Sequence, residues 1–405
     1  MATIVEGHVR GTAGYRRLGR ALWCAGVAIF TLVYAVQGLL PALATEFAVS
    51  PATASLALSA TTGALALAVV PLSAVAESFG RARVMSAALT VSAVLALLAP
   101  LSPTFGVLLA VRALQGVTLA ALPALAMAHL TAEVAPRHLG GAVGLLIAGN
   151  TIGGLSGRLL AGAVAELGGW RAGLAAVGVL SLACTLAFRL LLPAQLTPNV
   201  PRTRLRDLGA PLRRHLADPA LLRLFGIAFL LMGAFVSVYN YLGFRLVAAP
   251  FGLSAGTVAL VFLGYLAGSW TSSQAGRLGD RIGRRPVLCG APLVAVGGVA
   301  VTLPDVLPVV LVGLVLVTVG FFGAHSVASS WVGRRSALLA GGVPAVAAAQ
   351  YLFGYYAGSS VGGTLGGIAY GLGGWPAVAG YVAALLAGAL VLAVGVRPSV
   401  LRAGQ

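Results

Sequence analysis

The chain has 405 residues, 59% of them hydrophobic and only 9% charged. No soluble core needs that much apolar surface, and a polar remainder rich in Gly, Ser and Thr suits packed membrane helices. The net charge of +17 comes from 26 basic residues, all arginine, against 9 acidic ones; the arginines fall in short blocks between apolar segments rather than on one polar face with interleaved aromatics, which sets nucleic acid aside and gives the positive-inside pattern of a polytopic membrane protein.

Residues 1–20, with Arg10, Arg16, Arg17 and Arg20, read as a basic cytoplasmic arm rather than a cleavable signal. Twelve apolar segments follow, each near the roughly 20 residues that a spanning helix requires. Helices 1 to 12 are predicted at 21–43, 51–76, 84–101, 105–130, 139–165, 171–192, 222–246, 254–276, 286–303, 307–331, 340–368 and 377–396. The fold class is thus all-α, with an N-terminal six-helix bundle over 21–192 and a C-terminal one over 222–396. A cytoplasmic linker, 193–221, joins them, and 397–405 form a cytoplasmic tail. In the linker, Leu205, Leu208, Leu212 and Leu216 have helical spacing with arginines between them, so it lies along the inner leaflet or serves as a solvated tether. Gly209 and Pro211 are expected to interrupt any helix there. With the N-terminus inside, every arginine except Arg112, Arg158, Arg171 and Arg245 falls on the cytoplasmic side. Arg171 and Arg245 sit at the outer ends of helices, and Arg112 and Arg158 remain within the membrane. Cys24, Cys184 and Cys289 have no metal-binding spacing, so no metal and no cofactor are expected.

The halves repeat. Leu167-Gly168-Gly169-Trp170 recurs as Leu372-Gly373-Gly374-Trp375, and Phe30, Val33, Tyr34 and Gly38 recur as Phe235, Val238, Tyr239 and Gly243. Gly149, Gly153, Gly154 and Gly157 are echoed by Gly358, Gly362, Gly363 and Gly366. Glu77, Gly80 and Arg81 in the loop after helix 2 are echoed by Asp280, Gly283 and Arg284 after helix 8. Two similarly oriented halves imply a pseudo-twofold axis along the membrane normal with a site between them.

Gly276-Arg277-Leu278-Gly279-Asp280-Arg281-Ile282-Gly283-Arg284-Arg285 resembles the signature loop of the major facilitator superfamily. Arg112-Ala113-Leu114-Gln115-Gly116 in helix 4 is similar to that family's R-x-x-Q-G element. The helix 5 glycines resemble the motif of its antiporter branch, with Asn150 where that branch has proline. Ser359 to Gly367, Tyr239 to Gly243 and His325 resemble bacterial inner-membrane efflux permeases near the multidrug-resistance exporters. The resemblance implies a proton-coupled transporter of alternating access, with helices 1, 4, 7 and 10 lining the cavity and 2, 5, 8 and 11 along the interface of the halves.

Asp280 is expected to latch onto the positive N-terminal end of a facing helix and to pair with a flanking arginine. Breaking and remaking those contacts is a two-state gate. The gating residues on this reading are Glu77, Gly80, Arg81, Gly276, Asp280, Arg281, Gly283, Arg284 and Arg285, the first loop being the weaker because Ser78 stands where the second has Arg281. Arg112 is the sharpest site candidate, because a charge at membrane depth faces a watery cavity or a partner; bonding to backbone carbonyls and Gln115 is its structural alternative. Arg158 either joins the cavity or snorkels outward. Repeat logic adds Tyr34, Gln37, Asn150, Tyr239, Asn240, Tyr241, Trp270, Gln274, Gln350, Tyr351 and Tyr355, aromatics and amides that suit a flat organic substrate. All nine acids fall in loops or at helix ends. The cargo is therefore expected to be anionic or neutral aromatic, and His325, with Arg112 beside it, is left to couple protons. The paired glycines are assigned to close helix packing.

Gly358-Ser359-Ser360-Val361-Gly362 matches G-x-S-x-G, but a nucleophile elbow needs a strand-to-helix turn, and this stretch lies inside a membrane helix. A membrane-embedded lipid enzyme is set aside for want of catalytic residues at depth. The reading is a monomeric multi-pass exporter of the cytoplasmic (inner) membrane, with small-molecule substrate, protons and lipid bilayer as partners. Its rival is a facilitator or importer of an organic anion.

Overall fold

The computed structural model describes residues 7–76, 79–196 and 208–396, and only the backbone of 73–76. Glu77, residues 197–207 of the linker and the tail lie outside the described residues. Ten continuous helical stretches are long and apolar enough to cross a membrane. Two of them, Pro136–Leu191 with 56 residues and Pro344–Val394 with 51, are double length. At 1.5 Å per residue they would reach roughly 80 Å, far beyond a hydrocarbon core of about 30 Å. Each reverses at a glycine pair, where Gly169 (φ +73°) and Gly374 (φ +61°) take the left-handed conformation. The described residues thus make twelve crossings in two six-helix bundles. Helices 1 to 4 are Ala13–Glu46, Pro51–Ala76, Arg81–Leu101 and Phe105–Glu133. Helices 5 and 6 cover 136–168 and 169–191. Helices 7 to 10 are Pro219–Val247, Ala255–Ile282, Arg284–Val301 and Leu307–Leu338, and helices 11 and 12 cover 344–373 and 374–394.

Helix 1 begins at Ala13, eight residues before its apolar segment, because Thr12 caps it by accepting from Tyr15 N–H. Ahead of it, His8 pairs with the loop after helix 4, donating to Glu133 O at 2.7 Å and accepting from Ala135 N–H at 3.2 Å. The linker forms a helix, Gly209–Ala217, where interruption was expected. Pro211 falls in its first turn, where a missing N–H leaves nothing unpaired. His215 fixes this helix to the second bundle. Its Nδ1 lies 2.7 Å from Gln350 Oε1, and its Nε2 accepts from Val343 N–H and lies 3.0 Å from Ser336 Oγ.

Close glycine packing builds each bundle. Gly149, Gly153 and Gly157 ride on the backbone of Trp23, Val27 and Thr31 in helix 1, and Gly358, Gly362 and Gly366 ride on Phe229, Gly233 and Ser237 in helix 7. Twin hydrogen bonds accompany them: Thr31 Oγ1 donates to Gly153 O and Ser237 Oγ donates to Gly362 O, each at 3.0 Å. Gly154 and Gly363 stand beside these rows, facing Arg158 and Val236.

Among the described residues, the bundles meet chiefly at three places. Helix 2 meets helix 11, with Ser59 Oγ 2.8 Å from Thr364 Oγ1 and Ser360 Oγ donating to Ser59 O. Helix 1 meets helix 7 through Gln37 and Asn240. Helix 5 packs on the first turns of helix 8, Ala255–Leu260, reaches Tyr265 through the Arg158 side chain, and makes little contact beyond it. The two helices therefore part toward the arginine-rich end.

Candidate functional site

The site grows from a defect in helix 1. Its α-helix ends at Tyr34, a 3-10 turn covers Ala35–Leu39, and α-helix resumes at Leu40 with Pro41 in its first turn. The change of winding frees carbonyls on one side and turns Gln37 inward on the other. Arg112 takes up two of those carbonyls, Leu32 O (2.8 Å) and Val33 O (2.9 Å), donates also to Ala57 O of helix 2 (3.1 Å) and to Gln115 Oε1 (2.9 Å), and is 2% exposed. With four donors engaged in helices 1, 2 and 4, Arg112 is an anchor of the first bundle. In this conformation its donors are taken up within the bundle, which is the structural alternative stated for it, bonding to backbone carbonyls and Gln115.

Arg158 has the opposite surroundings. It is 1% exposed and does not snorkel. Its Nε donates to Gln37 Oε1 (2.8 Å), one Nη to Gly154 O and the other to the Tyr265 hydroxyl (2.9 Å). Its Cζ lies 4.5 Å from the Tyr34 ring centroid, 5.2 Å from that of Phe262 and 4.3 Å from that of Tyr265. The guanidinium thus sits in an aromatic cage shared by both bundles. It has no carboxylate partner among the described residues. Gln37 Nε2 donates to Asn240 Oδ1 at 2.7 Å, so two amides in corresponding stretches of helices 1 and 7 meet across the interface. The Asn240 Nδ2 atom is buried without a hydrogen bond.

A ladder of rings runs from this cage into the second bundle. Tyr265 meets Phe235 edge-on at 5.3 Å, Phe235 stacks on Phe321 at 4.0 Å, and Phe321 stacks on the His325 imidazole at 5.6 Å. His325 Nδ1 lies 2.9 Å from the Tyr351 hydroxyl, and Tyr355 stands 5.0 Å from the imidazole, ring to ring. Tyr239 stacks on Phe262 and bonds Thr318 Oγ1 at 2.8 Å.

The structure brings together Tyr34, Gln37, Arg158, Tyr239 and Asn240, and joins them through rings to His325, Tyr351 and Tyr355. Five expected cavity residues lie elsewhere. Asn150 abuts Gly26 in the helix 1–5 contact. Tyr241 donates to Gly363 O at 2.7 Å and stacks on Tyr370. Gln350 binds the linker helix. Trp270 is 65% exposed on the outside of helix 8, and Gln274 shares its groove. Tyr265, Phe262, Phe235 and Phe321 were missed, because repeat logic ranked polar aromatics with a mate in the other half, and phenylalanine in an apolar helix reads as packing.

The latch geometry expected of Asp280 is not made in this conformation. Asp280 is 73% exposed and, among the described residues, pairs only with Arg284 of its own loop, at 3.6 Å. Arg284 also donates to Ser330 Oγ, and Arg285 to Val394 O, both within the second bundle. The physical reason is the parting of helices 5 and 8, which keeps the loop away from helix 5. Gly80 (φ +94°) and Gly283 (φ +92°) take the same left-handed turn in both loops, while Arg81 is buried and Arg281 and Gly276 are exposed. A carboxylate on a helix end does occur at the opposite end of the molecule. Glu166, at the end of helix 5, accepts from Gly256 N–H in the first turn of helix 8 at 2.7 Å.

Twelve membrane crossings in two repeated bundles, meeting around a buried polar and aromatic core, define a membrane transporter rather than an enzyme. The chain matches the Major Facilitator Superfamily over residues 22–349 and belongs to that family. It is 39% identical over 383 residues to the MFS-type transporter YybF of Bacillus subtilis (strain 168), covering 95% of this chain and 94% of that one. It is equally identical over 383 residues to the inner membrane transport protein YnfM of Escherichia coli (strain K12), with 95% and 91% covered. Its fold is similar to that of a bacterial homologue of the lysosomal transporter Spinster, with a TM-score of 0.73, 16% identity and 95% of each chain covered.

Proposed function

We propose that this transporter exports a small organic molecule, anionic or neutral and aromatic, in exchange for protons. The observation that carries the reading is Arg158: a buried guanidinium in a cage of Tyr34, Phe262 and Tyr265, with no carboxylate partner among the described residues. A fixed cation between ring faces favours a carboxylate or an acceptor-bearing flat ring over a cation. His325, hydrogen-bonded to Tyr351, is the titratable group that the ring ladder joins to this cage. On this reading the arginine-rich end and both termini face the cytoplasm, and the membrane is the inner one, as printed for the relative YnfM. The conformation described is then closed outward, and Asp280 with its loop closes the inner end in the alternate state.

The test uses purified protein in liposomes. A stability-shift screen of organic acids and neutral aromatics supplies a ligand, and flux of that ligand is followed with a pH-sensitive dye inside the vesicle. Arg158→Gln is expected to weaken ligand binding at least about tenfold, and His325→Gln to leave binding and abolish coupled proton movement. Transport of a cationic dye unaffected by Arg158→Gln rejects the cargo class. Flux that ignores a pH gradient replaces antiport with facilitated passage of an anion.

A further inference from the structure

A groove of about 600 Å³ opens on the outer surface between helices 8 and 9, with Gly320 and Gly323 of helix 10 as its floor. Its walls are apolar where they face outward: Trp270, Leu278, Ile282 and Val294 are all exposed. Two cations, Arg277 and Arg281, line its arginine-rich end. Among the described residues neither makes an ion pair or side-chain hydrogen bond, whereas Arg284 and Arg285 of the same loop are engaged with Asp280, Ser330 and Val394. The loop holds four arginines and one carboxylate, so the groove mouth keeps an excess of positive charge. Trp270 lies seven residues from Arg277 on the same helix, roughly 10 Å deeper. Unpartnered cations at headgroup level above an apolar channel at acyl-chain depth match one kind of molecule, an amphiphile with a negative head.

We infer that this groove is a binding site for an anionic phospholipid of the leaflet at the arginine-rich end. Its phosphate is held by Arg277 and Arg281, and an acyl chain lies along Trp270 and Leu278.

The experiment reads lipid contact at Trp270 directly and needs no transport. Full-length protein and a Trp270→Phe variant are placed in phosphatidylcholine nanodiscs containing 20 mol% of a lipid brominated at mid-chain, either phosphatidylglycerol or phosphatidylcholine. The difference between the two proteins isolates Trp270 fluorescence. Brominated phosphatidylglycerol is expected to quench this component at least twofold more than brominated phosphatidylcholine. Arg277→Gln with Arg281→Gln is expected to remove the excess without changing quenching by phosphatidylcholine. Equal quenching by the two lipids in the unmodified protein overturns the site and leaves the arginines as solvated topological charges. An excess that survives the double substitution overturns their role. If the double variant does not fold, the comparison of lipids in the unmodified protein still decides the matter. Loss of the excess on adding millimolar glycerol phosphate would assign the site to free anions instead and overturn the lipid.

Discussion

Arg112 and Arg158 stand about two and three turns, respectively, from the arginine-poor end of their helices, yet their donors meet different acceptors. Arg112 satisfies carbonyls that the 3-10 turn of helix 1 leaves open, so its removal orphans buried acceptors. Arg112→Gln is expected to destabilise the fold by roughly 3 kcal/mol, read as a lower melting temperature in detergent, with ligand affinity unchanged in the protein that remains folded. A buried ion pair at the other end gives a pH signature. Asp218 caps helix 7 and pairs with Arg335 of helix 10 at 2.5 Å. Burial alone would raise its carboxyl, but the hydrogen bonds from Arg335 and from Leu221 N–H, with the arginine charge, outweigh burial and hold it below the ordinary carboxylate range. A depressed carboxylate contributes stability above its unfolded pKa of about 3.9, and that contribution is lost as pH falls through the folded value. Melting curves of the unmodified protein and of Asp218→Asn should therefore differ at pH 7 and draw together only as the pH falls below the ordinary carboxylate range. Hydropathy places both arginines at membrane depth but says nothing about which way each points. That direction is set by the winding defect at Ala35–Leu39, for which the sequence carries no mark stronger than Gly38 and Pro41.

At the scale of helices, most of the architecture was legible, because length and apolarity decide a crossing and arginine blocks decide its neighbours. The reversals at Gly169 and Gly374 were visible as the repeated Leu-Gly-Gly-Trp. The π-helical segment Gly358–Gly362 was not, since its sequence is an ordinary run of small residues. Nor was the linker helix, because Pro211 was weighed as a breaker and not as a first-turn residue. The glycine rows give the sharpest prediction at this level. A Cβ on Gly157 would lie 2.7 Å from Thr31 O, a backbone atom that cannot yield, whereas one on Gly290 meets nothing. Gly157→Val is expected to push helix 5 off helix 1 and destabilise by about 1–3 kcal/mol, while Gly290→Ala stays within about 0.5 kcal/mol. Folded yield and melting temperature of the two variants, measured side by side, separate packing from mere loss of glycine.

For the whole molecule, the two ends of the helix 5–8 interface hold carboxylates in opposite situations. Glu166 is engaged on the first turn of helix 8, and Asp280 is exposed with only its own loop for company. Two bundles that rock about a central seam must break one contact to make the other. On the proposed alternating-access reading, each carboxylate is expected to bias the same equilibrium with opposite sign. A charge on a solvated helix end contributes about 0.3–1 kcal/mol, which is roughly a two- to fivefold change in population. Spin labels at Leu167→Cys and Leu260→Cys, in a background without the three native cysteines, report separation at the arginine-poor end. Glu166→Gln should raise the long-distance fraction about two- to fivefold, and Asp280→Asn should lower it by a similar factor. If Asp280→Asn leaves the distribution unchanged while Glu166→Gln moves it, the loop at 276–285 serves topology alone. The Gln37–Asn240 bridge and the Arg158 cage then remain as the contacts that set the resting state.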